Sequence, residues 1–321
     1  MMTASDRKTV LGVDIGGTKI AVGLVDPDGQ ILTHERKPMV ATGTAEAGLQ
    51  AVIEAIDSVI TDAVHDIGIC APGPLDPKTG VILNPPNLPC WRNFPLAEEI
   101  TRKFQRRVKV DNDANAAALA ETRWGAARGY HYVFAATIGT GIGSGFVLDG
   151  RIYHGNTGSA IEGGHVSIDY RGPVCTCGKR GCIEILAAGT AIGVRARNKF
   201  VENPTLRSAI LDLANGDVSA VTSELVGKAY TAGDLLAKEI LQETVEVLTP
   251  WLGNIVDLLD PDILVMGGGV AAMLKPFFGE IKAGLPKWCV NPHASEIPLV
   301  MAHYGADAGI AGGAALCSDS D

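Results

Sequence analysis

Residues 9–26 read TVLGVDIGGTKIAVGLVD, and residues 131–149 read HYVFAATIGTGIGSGFVLD. Both segments contain an apolar strand pattern, a glycine-rich loop and a second apolar strand pattern. Neither loop is followed by a helix pattern, which excludes the G-x-G-x-x-G dinucleotide fingerprint, and the chain has no G-K-[ST] P-loop. Two such units about 120 residues apart predict an internally duplicated α/β architecture. We expect both hairpins to hold phosphate groups and to face each other across a cleft.

The glycines of these loops expose backbone N–H groups. In the first loop, D-I-G-G-T-K at 14–19, they are flanked by a carboxylate, a hydroxyl and an ammonium group, which suits a polyphosphate and its magnesium ion. A third glycine run, M-G-G-G at 266–269, follows the apolar strand pattern DILVM. It could accept the sugar and base of a nucleotide, or it could simply be a tight turn from a strand into a helix.

A polar cluster, D-N-D-A-N at 111–115, lies between the strand pattern RVKV and an alanine-rich helix pattern that extends to about residue 128. The carboxyl ends of strands are where open α/β sheets bind ligands. Asp113 is therefore a candidate general base and Asn112 a candidate ligand for a hydroxyl group. The alternative for either residue is a helix cap.

The segment 162–184 reads E-G-G-H, nine further residues, then C-T-C-G-K-R-G-C-I-E. Its one histidine and three cysteines suit a tetrahedral zinc site, and glycines inside the cysteine run permit the tight turns that such a site needs. A buried apolar cluster or a disulfide is the alternative. The predicted zinc ligands are His165, Cys175, Cys177 and Cys182.

Two glutamates flank this predicted metal site. Glu162 precedes the histidine by three residues and Glu184 follows the last cysteine by two. A metal would hold both carboxylates near one place, where they could accept hydrogen bonds from a polyhydroxyl substrate. Solvated surface positions are the alternative for both.

Composition narrows the class of function. The chain has 321 residues, enough for two domains, and a net charge of -9 that gives no footprint for nucleic acid or an anionic membrane. No apolar run is long enough for a membrane helix, and the N-terminus lacks a signal-peptide pattern. We therefore expect a cytoplasmic protein with reduced cysteines that binds a small molecule. Seven prolines in 72–95 predict an irregular segment, either a substrate-side loop or a stiff connector.

Together with A-P-G-P at 71–74 and N-P-P-N-L-P at 84–89, these motifs resemble those of the ROK family of sugar kinases and sugar-responsive repressors, in one order along nearly the whole chain. The resemblance implies an actin-like, duplicated ribonuclease-H-like fold of two α/β domains with a cleft between them. The smaller domain would comprise residues 1–110 and the C-terminal helix at about 305–321. The larger would comprise 111–304 and contain the zinc knuckle, 165–182.

The resemblance also assigns roles. Asp113 would be the general base, and Asp14 would hold magnesium. The residues expected to bind the sugar are Gly73, Asn87, Asn112, Asp113, Glu162, His165 and Glu184. The residues expected to bind ATP are Asp14, Gly16, Gly17, Thr18, Lys19, Gly139, Thr140, Gly141, Gly143, Gly267, Gly268 and Gly269. Three positions depart from the family pattern, namely Ile161, Ala188 and Cys90, which puts substrate preference and local loop shape in question.

The implied activity is ATP-dependent phosphorylation of a hexose at its 6-hydroxyl, with glucose as the expected sugar and ATP, Mg²⁺ and a structural Zn²⁺ as cofactors. N-acetylmannosamine, N-acetylglucosamine and fructose are alternative substrates, and polyphosphate is an alternative donor. A repressor is disfavoured because only about ten residues precede the first glycine loop. A catalytically dead sugar-binding module is disfavoured by the presence of Asp113 and Lys19. The resemblance further implies a homodimer or a dimer of dimers.

Overall fold

The computed structural model describes residues 9–318. Residues 1–8, on which the expectation about a signal peptide partly rests, and the end of the expected C-terminal segment, 319–321, lie outside the described residues. Within 9–318, no helix is both long and apolar enough to cross a membrane.

Twelve strands are present in the described part of the chain. In chain order they are β1 (Thr9–Ile15), β2 (Lys19–Val25), β3 (Ile31–Pro38), β4 (Val64–Ala71), β5 (Leu75–Asp76), β6 (Val81–Ile82), β7 (Arg107–Asn112), β8 (Tyr132–Ile138), β9 (Ile142–Leu148), β10 (Arg151–Ile152), β11 (Ile263–Gly267) and β12 (Leu299–Met301). The α-helices are α1 (Ala45–Asp57), α2 (Leu96–Phe104), α3 (Asp113–Arg123), α4 (Ile183–Ala187), α5 (Gly189–Glu202), α6 (Ala209–Leu213), α7 (Ser223–Thr231), α8 (Leu235–Leu259), α9 (Gly268–Leu274), α10 (Phe278–Gly284) and α11 (Ala308–Cys317).

The two main sheets have matching strand orders. The first is β3-β2-β1-β4-β7 and the second is β10-β9-β8-β11-β12. In both, the two strands joined by a glycine loop are neighbours, and a strand from later in the chain lies on the far side of the first of them. This repeat confirms the duplicated α/β architecture that the two glycine hairpins predict.

The chain divides into two compact units. Unit 1 contains the chain up to Ala135, Gly145–Ile161 and the chain from Ala302 onward, and unit 2 contains Ala136–Ser144 and Glu162–Met301. Packing groups α3 with unit 1 because α3 lies against α11. The expected division into a smaller domain of residues 1–110 plus the C-terminal helix and a larger domain of 111–304 stays a prediction.

Unit 1 is built around the first sheet. One face carries a large apolar core that includes side chains of α1 and α2, and the other face carries α11. The sheet and α11 approach closely because both are lined by glycine: a Cβ added at Gly12 would lie 1.9 Å from the Ile310 carbonyl oxygen, and one at Gly68 would lie 1.7 Å from that of Gly313. This close approach places the first residues of α11 beside the carboxyl end of β1.

Two helix boundaries differ from simple expectation. The helix α8 runs through Pro250 to Leu259, although proline often ends a helix. The following residues Trp251 and Leu252 are fully buried, and this burial offsets the backbone hydrogen bond that proline cannot make. By contrast α3 ends at Arg123, before the expected position near 128, where the Glu121 carboxylate accepts a hydrogen bond from the N–H of Ala126 at 2.8 Å.

Candidate active site

The first glycine loop lies in unit 1 between β1 and β2. It is closed by a hydrogen bond from the Gly16 N–H to the Lys19 carbonyl oxygen at 2.9 Å. A Cβ added at Gly17 would lie 2.8 Å from the carbonyl oxygen of Asn87, so the proline-rich segment passes next to this loop. Thr18 and Lys19 are exposed. The loop therefore presents a hydroxyl and an ammonium group to the surroundings, and its role in binding phosphate stays a prediction.

Asp14 is half-buried at the carboxyl end of β1. Burial raises the pKa of its carboxyl above the ordinary value of 3.8, against the opposing influence of the Cys70 thiol and Lys19. The Cys70 Sγ lies 3.6 Å from Asp14 Oδ1 and 3.2 Å from the Gly309 carbonyl oxygen. A buried carboxylate with few donors around it suits an oxygen ligand for Mg²⁺.

The polar cluster at 111–115 forms the junction between β7 and α3. Asn112 is the N-cap of α3, since its Oδ1 accepts from the N–H groups of Ala114 at 2.9 Å and Asn115 at 3.4 Å. Its Nδ2 lies 3.5 Å from where a Cβ on Gly73 would stand, so these two predicted sugar ligands are neighbours. Capping thus occupies the oxygen of Asn112 and leaves its amide nitrogen facing Gly73.

Asp113 is the first residue of α3, and its side chain is exposed. Its Oδ1 accepts from the Ala114 N–H at 2.8 Å. Exposure leaves this carboxylate accessible to a substrate. The role of Asp113 as a general base stays a prediction.

At this junction the buried Asp111 pairs with the half-buried His154, a contact that the motifs did not indicate. Asp111 is 4% exposed, and its Oδ2 lies 2.6 Å from His154 Nε2. Its other oxygen, Oδ1, accepts from the N–H of Asn112 at 2.7 Å and from Asn115 Nδ2 at 3.2 Å. No local pattern could have revealed His154, because it is 43 positions from Asp111 in the chain.

The second glycine loop is shorter than its sequence suggests. β9 begins at Ile142, so the predicted loop residue Gly143 belongs to the strand. The Gly139 N–H donates to the Gly141 carbonyl oxygen at 2.9 Å, and the Gly139 carbonyl oxygen accepts from the Gly189 N–H at 2.8 Å. These bonds attach the loop to the first turn of α5.

The same loop holds one of the predicted sugar ligands. Glu184 Oε2 accepts from the N–H of Ile142 at 2.9 Å, and a Cβ added at Gly141 would lie only 2.5 Å from that oxygen. The carboxylate of Glu184 is thus oriented by the glycine loop through a charge-assisted hydrogen bond. Because Gly141 has no side chain, the Glu184 carboxylate can approach the loop closely enough to accept this hydrogen bond.

The four predicted metal ligands converge. Their ligand atoms all lie within 4.8 Å of one another, with Cys175 Sγ 3.7 Å from His165 Nδ1 and Cys177 Sγ 3.6 Å from Cys182 Sγ. A tetrahedral zinc ion with bonds of about 2.3 Å to sulfur and about 2.0 Å to nitrogen separates its ligand atoms by roughly 3.5–3.8 Å. The cluster therefore fits zinc, and all of its cysteines are free.

The turns inside the knuckle require glycine. Gly178 and Gly181 have φ angles of +89° and +62°, and a Cβ at Gly181 would lie 1.7 Å from the Asp169 carbonyl oxygen. Burial raises the pKa of the Cys182 thiol to about 12, whereas the N–H of Lys179 lowers the pKa of the exposed Cys177. A bound metal would displace the proton that burial retains.

The other end of the segment is tied to β9. Residues Gly163–His165 form one turn of 3-10 helix, in which the Gly163 N–H donates to Ser144 Oγ at 3.0 Å and its carbonyl oxygen accepts from Trp251 Nε1 at 3.1 Å. Glu162, directly before this turn, is exposed. The turn fixes the backbone on which His165 stands, while the carboxylate of Glu162 extends into the surroundings.

A pocket of about 820 Å³ lies within unit 2. The predicted nucleotide-binding residues Gly139, Thr140 and Gly269 contribute to its wall. Gly268 has a φ of +87°, and a Cβ there would lie 2.4 Å from the Ile138 carbonyl oxygen, so the strand-to-helix turn demands glycine and also opens into the pocket. Gly267 is buried at the end of β11.

Most of the remaining pocket wall comes from α5 and α7, including Gly193, Ser223 and Tyr230. The segment 201–231, which contains α7, carries no recognisable chemical motif. Its contribution follows from packing, since the neighbouring α5, α7 and α8 contact one another. Sequence reasoning therefore identified one side of the pocket and missed the other.

The two sheets have matching strand orders, with a glycine loop between β1 and β2 and another between β8 and β9. A Cys₃His knuckle lies beside the second loop. Together these features define an actin-like protein of the sugar-kinase class. The ROK family model matches residues 10–320, and the chain belongs to the ROK family.

The chain is similar to glucokinases and to N-acetylmannosamine kinases. The chain is 33% identical to a glucokinase of Thermotoga maritima, covering 97% of both chains. It is 32% identical to an N-acetylmannosamine kinase of Escherichia fergusonii, covering 96% of this chain and 98% of that one. It also superposes with a TM-score of 0.82 on a ROK family glucokinase from Streptomyces griseus in complex with glucose and AMPPNP, at 32% identity, covering 96% of this chain and 98% of that one.

Proposed function

We propose that this protein is an ATP-dependent hexose kinase that converts glucose to glucose 6-phosphate. The observation that carries the proposal is the hydrogen bond from the Ile142 N–H to Glu184, which ties a predicted sugar ligand to a predicted phosphate-binding loop. The similar glucokinases, one of them in complex with glucose and AMPPNP, support the choice of glucose and ATP.

The reaction would form a bond between the sugar O6 and the γ-phosphorus while the bond from that phosphorus to the ADP oxygen breaks. Asp113 would accept the proton that O6 loses, a role supported by its exposed carboxylate at the start of α3. Little covalent help is needed, since phosphoryl transfer depends on alignment and on stabilisation of charge. Asn112, Gly73 and Asn87 of unit 1 are proposed sugar ligands.

Glu162, His165 and Glu184 are also proposed sugar ligands. With His165 Nδ1 directed at the cysteines, its Nε2 is left to meet a sugar hydroxyl. A zinc ion held by this histidine and the three cysteines would be structural, ordering the segment that carries the ligands. The cluster geometry supports zinc rather than magnesium, because thiolates are soft ligands.

The nucleotide would use backbone groups of both glycine loops. Gly16, Gly17, Thr18 and Lys19 are proposed phosphate ligands, and Asp14 is the proposed magnesium ligand. Magnesium, when bound, would neutralise charge on the phosphate chain. The pocket bounded by Gly139, Thr140 and the 267–269 turn has the size for an adenosine group.

A second candidate is an N-acetylmannosamine kinase, favoured by the relative of that name at 32% identity. N-acetylglucosamine and fructose are further candidate sugars. Glucose differs from a 2-acetamido sugar at one substituent, so the same base and metal knuckle would serve either substrate.

We further propose a cytoplasmic location, because the three free cysteines proposed to bind a metal are favoured by reducing surroundings. The homodimer or dimer of dimers implied by the resemblance stays a prediction.

The test is ATP turnover by the purified protein with glucose, mannose, fructose, N-acetylmannosamine and N-acetylglucosamine. We expect the highest kcat/KM with glucose and expect Asp113→Asn to lower kcat by at least about 10³-fold while glucose still binds. The control is Asp62→Asn, at an exposed aspartate outside the proposed site.

Preference for an acetamido sugar would replace glucose in the proposal. Near-normal turnover by Asp113→Asn would remove the residue from its role. Absence of turnover with every sugar would overturn the proposal. Inorganic polyphosphate in place of ATP tests the alternative donor.

A further inference from the structure

We propose that His154 is a positioning residue for the candidate base Asp113, acting through the buried carboxylate of Asp111. The inference rests on the proposed function, since it concerns the geometry of the same base. All the residues involved belong to unit 1, and none of the motifs discussed above includes His154.

Asp111 lies near the carboxyl end of β7. It pairs with Cys70 on β4, and Cys70 in turn pairs with Asp14 on β1. Two acidic residues therefore flank a fully buried thiol in one row, and this burial raises the pKa of the Cys70 thiol well above its usual range. Because a buried carboxylate is costly without partners, Asp111 needs several donors.

Among the described residues Asp111 has three hydrogen-bond donors, two from the start of α3 and one from a distant segment of the chain. The backbone N–H of Asn112 and the side-chain amide of Asn115 share Oδ1. His154 alone among them contacts Oδ2, at 2.6 Å, from the segment that follows β10. Asp111 is only 4% exposed, so removal of the His154 imidazole would leave Oδ2 buried without this hydrogen bond.

The two donors on Oδ1 belong to residues on either side of the base. Asn112 precedes Asp113 and caps α3, and Asn115 lies two positions after it. A rotation of the Asp111 carboxylate would therefore disturb the cap and the first turn of α3 together. His154 prevents that rotation by holding the remaining oxygen, and in this way it fixes the orientation of the Asp113 side chain.

The charges around His154 agree with this role. The hydrogen bond to Asp111 raises the pKa of His154 above its ordinary value of 6.5, and burial and Lys78 oppose the increase. A raised histidine pKa means that the stabilisation by the charged pair is complete below pH 6.5 and is lost as the pH rises through the pKa of the folded protein. Asp111 is the carboxylate that faces His154, and Lys78 is the opposing cation.

The experiment compares His154→Ala with His154→Gln in the full-length protein. Glutamine keeps a neutral N–H donor at about the reach of Nε2, whereas alanine removes the donor. We expect His154→Ala to lower kcat for glucose about tenfold with the KM values for glucose and ATP changed less than about twofold, and we expect His154→Gln to recover kcat to within about threefold. In the wild-type protein kcat should decrease only about two- to threefold as the pH rises through the pKa of His154, because the neutral imidazole keeps an Nε2–H donor but loses its charge, and in His154→Gln this decrease should be absent.

A matched control is His131→Ala, which breaks an exposed His–Asp pair of 3.1 Å in the same unit. It should leave kcat unchanged. A kcat of His154→Ala within twofold of the wild type, a loss shared equally by His154→Gln, or an unchanged pH profile would each overturn the inference.

An activity-independent measurement separates this inference from the proposed function. Backbone amide NMR signals of residues 112–115 should shift with the pKa of His154 in the wild-type protein and should not do so in His154→Gln. If the wild type phosphorylates no sugar, the proposed function fails and the amide signals alone decide the inference. Signals that do not respond to His154 would overturn it even in an active enzyme.

Discussion

Replacing Gly141 with alanine tests whether the glycine loop orients Glu184 for its proposed role. The added Cβ would stand 2.5 Å from Glu184 Oε2 and 3.3 Å from Glu184 Cδ. To reach an ordinary contact of about 3.4 Å, the carboxylate oxygen must retreat by about 0.9 Å. That displacement takes it out of good hydrogen-bond geometry with the Ile142 N–H, which is now 2.9 Å away.

The expected size of the effect follows from the lost bond. A hydrogen bond to a charged group contributes about 1.5–3 kcal/mol, which corresponds to roughly a 10- to 100-fold loss of kcat/KM for glucose if Glu184 orients the sugar. The free energy of unfolding should fall by a comparable amount, at most about 1.5–3 kcal/mol, because the same hydrogen bond also stabilises the folded protein; the Gly141 φ is outside the left-handed region and adds no backbone strain.

The assay is steady-state kinetics with glucose and ATP, together with urea unfolding. Gly279→Ala is the matched control, since a Cβ there meets nothing within 4 Å, and its kinetics should equal those of the wild type. A double-mutant cycle with Glu184→Asp completes the test. The shorter side chain withdraws the carboxylate, so Gly141→Ala should cost little more in that background. Fully additive losses, or a kcat/KM of Gly141→Ala within twofold of the wild type, would refute the reasoning.

Two further predictions concern the metal sites. Purified protein should contain one zinc per chain by mass spectrometry, and a strong chelator or Cys175→Ser should remove the zinc and lower kcat/KM for glucose at least tenfold. The control Cys289→Ser should keep both the zinc and the activity. Full activity in metal-free protein would refute the structural role of zinc. Burial raises the pKa of Asp14, so its charged form destabilises the folded protein at neutral pH, and this cost is absent below pH 3.8. Asp14→Asn should therefore unfold at a higher urea concentration than the wild type at pH 7. Its kcat/KM for glucose should fall at least tenfold, because the proposed magnesium ligand is lost. An equal urea midpoint for the wild type and Asp14→Asn at pH 7 would contradict the burial argument.

Features encoded by neighbouring residues were predictable. The hairpin strands β1 and β2 follow from continuous apolar patterns interrupted by glycines, and they are observed at Thr9–Ile15 and Lys19–Val25. The metal cluster was equally accessible, because its ligands lie within eighteen residues and the turns between them need glycine at 178 and 181. Features formed by residues close together in the sequence can be predicted from the spacing of those residues.

Local patterns were less reliable at the edges of elements. The strand β9 starts at Ile142 and takes in Gly143, although the glycine-rich sequence suggested a loop. The helix α8 continues through its proline because the apolar residues after it are buried. In both cases tertiary packing outweighed the intrinsic preference of glycine or proline.

The sequence by itself determined the duplicated hairpins, and it predicted the metal ligands and the candidate base, whose roles stay predictions. Only the tertiary structure decided that Glu184 is held by the second glycine loop, that His154 holds Asp111, and that α5 and α7 complete the pocket in unit 2. The physical reason is distance along the chain: these pairs are 42 and 43 residues apart, and nothing in the local pattern of either partner encodes the contact. Such contacts exist only once the sheets and helices have packed.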